Sequence, residues 1–131
     1  CWIKNFDKII TALGEDALVY ANNIAEILHM EIFKHNGIPN KNLGDTFLLL
    51  WIIPDFDATF TGDPDSIIVN DQHITDLAIY GCLKSIAWIN SYLHIRKFNN
   101  EPSLNQEIPN FKTELCFGLH QGRAYEGAVG S

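Results

Sequence analysis

Cysteine is scarce in this chain: three among 131 residues, at positions 1, 82 and 116. Their number is odd and no CxxC or other ligand spacing links them. A disulfide framework is therefore not expected, and reduced intracellular thiols are. Cations are scarce too. Nine Lys and Arg against sixteen Asp and Glu give a formal net charge of -7. An acidic chain has no sequence-independent hold on nucleic-acid phosphates, and the scattered cations form no run that would grip acidic lipid. No apolar run approaches the roughly 18 residues of a membrane span, and the pattern of a signal peptide is missing. The expectation is a cytoplasmic location, free or as the cytosolic part of a membrane protein, with no nucleic-acid partner and no membrane contact by this segment.

What remains is 47% hydrophobic, enough for one ordinary domain with a core that needs no disulfides. The chain begins at a cysteine and stops at Gly130-Ser131 in mid-pattern. Residues 1–131 are therefore expected to be a partial domain, truncated at both ends, whose sensors or tethers lie elsewhere.

Periodicity divides it. Glu15-Asp16 suits a helix start, and a helix is predicted from about Ala17 to His35. Its apolar face is Leu18, Ala21, Ala25, Leu28 and Ile32, broadened by Ile24, Ile27 and Phe33. Lys34 and His35 suit its negative end, and Gly37 is a natural stop. Ile38 to Leu43 reads as a strand with Pro39 near its start or at an edge. Gly44-Asp45 turns the chain, and Thr46 to Ile53 returns as a buried strand ended by Pro54. Asp55 to Asp71 reads as an acidic loop. A second helix is predicted from about Gln72 to His94, capped by Asn70 or Asp71, with Ile74, Leu77, Ala78, Gly81, Cys82, Ile86, Ile89 and Leu93 on one face. Arg96 to Phe111 is polar and proline-broken, hence a loop. Lys112 to Leu119 and Arg123 to Val129 read as a second hairpin. Hairpins beside long helices predict an α+β fold, an antiparallel sheet with helices packed on one face.

Two stretches carry chemistry. In Lys41-Asn42-Leu43-Gly44-Asp45 a lone lysine precedes a turn aspartate by four residues. A cation that can face a base and a carboxylate that can hold a metal are parts of a nucleotide site. Each also has a plain structural reading: aspartate is common in turns, and a strand lysine is ordinarily just exposed. The other stretch runs from Phe117 through Gly118, Gly122, Gly127 and Gly130. Those glycines suit tight turns, since no helix N-terminus or Gly-Lys-Ser/Thr follows as in a phosphate loop. His29 and His35 lack zinc-helix spacing. Asp55, Asp57, Asp63 and Asp65 lack the EF-hand order. No nucleophile-base arrangement can be placed from spacing.

Taken in order, the Lys-x-x-Gly-Asp turn at Lys41 to Asp45 and the Gly-x-x-x-Gly segment at Gly118 to Gly122, continuing to Ser131, resemble the class III nucleotide cyclase catalytic domain, closest to ciliate and protist forms. The resemblance covers essentially the whole chain and implies the ferredoxin-like fold of that family. It implies conversion of ATP to cyclic AMP and pyrophosphate in intracellular cyclic-nucleotide signalling. Two Mg or Mn ions would be held between aspartates, in a cleft between two such domains. The partner would be a second cyclase domain, in a homo- or heterodimer.

Carried over by position, Asp45 falls on the second metal aspartate and Lys41 on the base-reading residue, where lysine goes with adenine. ATP is therefore expected over GTP. The family's first metal motif falls on Cys1 to Asp7. This puts Ile3, Asn5 and Phe6 in the substrate-binding stretch, where backbone cradles the triphosphate. Trp2 stands where the first metal aspartate belongs, and Asp7 replaces a threonine. No transition-state residue of the family falls within 1–131. The rival expectation is a degenerate domain that binds or regulates an active cyclase.

Overall fold

The computed structural model describes residues 1–53, 64–125 and 127. Its sheet has four strands: β1 (Trp2–Ile3), β2 (Ile38–Leu43), β3 (Thr46–Leu50) and β4 (Leu115–Cys116). They lie side by side in the order β2-β3-β1-β4, and every pairing is antiparallel. Helices α1 (Phe6–Leu13) and α2 (Asp16–Lys34) join β1 to β2. Helix α3 (Pro64–Ser91), short helices α4 (Leu93–Arg96) and α5 (Pro102–Glu107), and a 3₁₀ turn (Lys97–Asn100) precede β4. The mixed helix and antiparallel-sheet architecture agrees with the sequence expectation. No helix among the described residues is long and apolar enough to cross a membrane.

Helix α2 ends as its sequence dictates. Asn36 adopts a left-handed conformation, φ 59°. The Asn36 N–H then donates to the Phe33 carbonyl (3.2 Å), and the Gly37 N–H to that of Ile32 (2.9 Å). This paired bonding satisfies the carbonyls left open by the last turn. Gly37 is needed for a second reason: a Cβ there would lie 2.5 Å from Ile32 Cγ2 and 2.7 Å from the Trp51 ring.

The buried stripe of α2 is Ala17, Tyr20, Ile24, Ile27, Leu28, Glu31 and Ile32. The predicted face is rotated: Leu18 and Phe33 point to solvent. The single buried carboxylate on this stripe, Glu31, is paired with Lys34 at 2.6 Å. Ile24, Ile27, Leu28 and Ile32 join Ile3 and Phe47 of the sheet and Ile89 of α3 in one cluster. Both long helices therefore cover the sheet face that Ile3 and Phe47 present. They approach closely at Gly81, where a Cβ would come within 3.3 Å of His35 Cβ.

Three predicted boundaries are corrected. Helix α3 begins at Pro64 rather than near Gln72, since proline is favoured in the first helical position. For the same reason Pro102 starts α5 within the stretch read as a loop. That segment is anchored, with Phe98, Leu104 and Phe111 buried. The second hairpin does not form among the described residues. Among the described residues only Leu115–Cys116 enters the ladder there, and Leu119, His120, Arg123 and Tyr125 are all exposed. Glu126, Ala128 to Ser131 and Asp55, Asp57 and Asp63 lie outside the described residues.

Tyr20 locks α2 to the segment before β4. Its hydroxyl donates to Thr113 Oγ1 at 2.9 Å, and its ring meets Phe98 edge-on, centroids 5.0 Å apart. Burial pushes the phenol up from 10.0 to about 12, with the Thr113 bond opposing that shift. Stability carried by the neutral phenol is therefore complete below pH 10 and falls as pH rises toward 12, because the unfolded chain loses its proton first. At roughly 1.4 kcal/mol per unit, the loss is about 2–3 kcal/mol. Denaturant unfolding followed between pH 9 and 12 is expected to show a steeper fall for the wild type than for Tyr20→Phe.

Candidate functional site

Alternation in the β2–β3 hairpin decides which side chains face outward. Asn42 pairs with Phe47, and Lys41 with Leu48. Phe47 is buried and Leu48 is exposed. Asn42 is on the helix side: His29 Nε2 of α2 lies 3.1 Å from Asn42 Oδ1. Residues directly opposite share a face, so Lys41 stands with Leu48 on the outer face, away from the helices. Lys41 is exposed, and its ammonium makes no hydrogen bond or ion pair among the described residues.

The turn that follows is built on Gly44, whose φ of 65° suits glycine. Asp45 is partly buried there, and its Oδ1 accepts from Thr46 Oγ1 at 3.1 Å. Its carbonyl accepts the Ile3 N–H at 2.9 Å. That bond ties the turn to β1 and sets Trp2 opposite Thr46 on one side and Cys116 on the other. Trp2 is 44% exposed while Ile3 is buried. The indole therefore shares the outer face with Thr46, Leu48 and Lys41.

After Ile3 the chain swings into α1. Asn5 takes the left-handed conformation, φ 58°, and its carbonyl accepts from the Lys8 and Ile9 amides. The amides of Phe6 and Asp7 open the first turn, where α-helical geometry offers no intrahelical acceptor. Such amides suit an anion, but the exposed Asp7 carboxylate in the same turn opposes one. Lys4 is paired with Glu114 at 2.5 Å. With both side chains half exposed, that pair contributes little to stability.

Of the residues expected from the sequence, the structure gathers Ile3, Asn5, Phe6 and Asp45 around the end of β1. Lys41 stands farther along β2 on the outer face. Sequence reasoning missed Leu48, Leu43 and Thr46, which share that face. The alternation of Phe47 with Thr46 and Leu48 was the available signal.

The donor set does not fit a two-ion centre. Two hard cations need bridging carboxylates, and among the described residues the β2–β3 turn offers only that of Asp45. The position across from Thr46, where another could sit, carries an indole. Among the described residues no three His, Cys, Asp or Glu side chains converge as a ligand group.

No protein-family model, curated protein or solved structure matches this chain.

Proposed function

We propose that this domain is the base-reading half of a paired, adenylyl-cyclase-type site, with Lys41 selecting ATP. The observation that carries it is the outward placement of Lys41, without a partner among the described residues, on the sheet face it shares with Leu48, Thr46 and Trp2. An ammonium free of carboxylates can donate to the unprotonated ring nitrogen of adenine. The strand order supports the ferredoxin-like form of the fold, since the chain runs β-α-β-β-α-β with its fourth and first strands adjacent. The domain's own part is to bind and orient the nucleotide base. Mg or Mn would be held by the carboxylates of a second cyclase domain, and the pairing, homo- or heterodimeric, would be cytoplasmic, where ATP is supplied.

Trp2 favours a second reading, a degenerate domain that regulates an active cyclase without entering its site. One experiment separates the two. The chain alone is expected to make no cyclic AMP from Mn²⁺ and ATP, because a ligand is missing. Mixed with a cyclase domain that keeps both aspartates but lacks its own base-reading lysine, it is expected to restore product. Restoration that persists undiminished in Lys41→Ala would sink the base-reading role and leave the regulatory one.

A further inference from the structure

Strand β2 carries one residue more than the strand beside it. Ile38 stands opposite Leu50 and Pro39 opposite Leu49, but the register then shifts and Lys41 stands opposite Leu48. Asn40 and Lys41 are thus set against Leu48 alone, the pattern of a β-bulge. The bulge decides where two side chains go. Leu49 packs against the core cluster, so Pro39 opposite it lies on the inner face. Asn40 follows Pro39 and takes the alternate, outer side, and Lys41 shares the outer face with Leu48. A regular strand would send these consecutive residues to opposite faces. Here both lie on the outer face, and both are exposed.

An amide beside an ammonium can do what neither does alone. The ammonium only donates, whereas the amide also carries a carbonyl oxygen that accepts. Adenine presents the matching edge: a ring nitrogen that accepts and, next to it, a 6-amino group that donates. We infer that Asn40 is a second base-reading residue, its Oδ1 accepting from the 6-amino group while Lys41 donates to the ring nitrogen. The ligand class is then a 6-aminopurine nucleotide. This rests on the proposed reading of Lys41 and adds a residue that the Lys-x-x-Gly-Asp pattern leaves out. The bulge, not the motif, brings Asn40 to that face.

The test removes the 6-amino group and leaves the ring nitrogen for Lys41. Cyclisation of ATP and of purine riboside triphosphate, which lacks only that group, would be compared. The chain would be paired with a cyclase domain that keeps both aspartates but lacks its own base-reading lysine, and circular dichroism would confirm folding of each variant. The wild type is expected to use ATP about tenfold better than the analogue, a difference near 1.4 kcal/mol, since a site built to bond an N–H rejects the ligand that lacks it. Asn40→Ala is expected to bring the two within about twofold, and Lys41→Ala to lower product from both. A folded Asn40→Ala that keeps the wild-type ratio overturns the inference, as does a wild type indifferent to the 6-amino group. If Lys41→Ala still lowers product in either case, Lys41 reads the base without Asn40. Product unchanged by Lys41→Ala sinks both roles, and so does a pair that makes none. Should Asn40→Ala fail to fold, Asn40→Ser removes the amide in its place.

Discussion

Paired with a metal-competent partner domain, the wild-type chain is expected to use ATP roughly ten- to a hundredfold better than GTP. The origin is a mismatch of donors. Adenine offers an unprotonated ring nitrogen to the Lys41 ammonium, whereas guanine offers an N–H at that position. Enclosed in a domain interface, the two donors would both go unpaired, at a cost of about 1–3 kcal/mol. Since 1.4 kcal/mol is tenfold, that cost sets the range of discrimination. Lys41→Glu replaces the donor with an acceptor and is expected to weaken or reverse the preference. The outward exposure of Lys41 matters here, because a lysine already paired within its own domain would have to break that pair first. Cyclic AMP and cyclic GMP formation by the wild-type and Lys41→Glu pairs would be compared. Equal use of both triphosphates by the wild type, unchanged in the variant, would show that Lys41 does not read the base.

How much of this was legible in the sequence depends on how local each feature is. The β2–β3 hairpin was, because Gly44 and the run from Thr46 state the turn and strand within ten residues. Helix α2 was legible in extent but not in rotation. Leu18 and Phe33 fit the apolar stripe on paper together with Ile24, Ile27, Leu28 and Ile32, and only packing against α3 and the sheet turned those two outward and brought Ala17 and Tyr20 in. Pro102 misled because proline stops a helix from within and starts one from its first turn. For the second hairpin, glycine spacing stated where the chain can turn but not that the described residues after Cys116 stay out of the ladder. At the site, Lys41 and Asp45 could be singled out from their motif. The pairing of Trp2 with Thr46 could not, since it joins residues 44 positions apart through the β1–β3 ladder. Nor could the outward aim of Lys41, which rests on its register opposite Leu48 while Asn42 pairs with the buried Phe47.

Phe47 and Leu48 are neighbours on β3 with opposite fates, and their substitution should separate folding from function. Phe47 is 2% exposed, belongs to the main cluster and meets the His29 ring edge-on at 6.2 Å. Removing its ring leaves a cavity beneath the hairpin that carries Lys41 and Asp45, and Phe47→Ala is expected to cost about 3–5 kcal/mol. Against a typical domain stability of roughly 5–15 kcal/mol, that loss threatens the fold itself. Leu48 is 48% exposed on the outer face, opposite Lys41. Leu48→Ala is expected to change the chain's own stability by no more than about 0.5 kcal/mol. If the outer face is where the partner domain sits, the same substitution should weaken pairing, because large apolar side chains exposed together mark contact surfaces. Urea unfolding of both variants gives the first comparison, and sedimentation of each with the partner domain gives the second. A Leu48→Ala variant that pairs as tightly as the wild type would place the partner on some other surface. A Phe47→Ala variant of near wild-type stability would mean that the hairpin does not depend on the core beneath it.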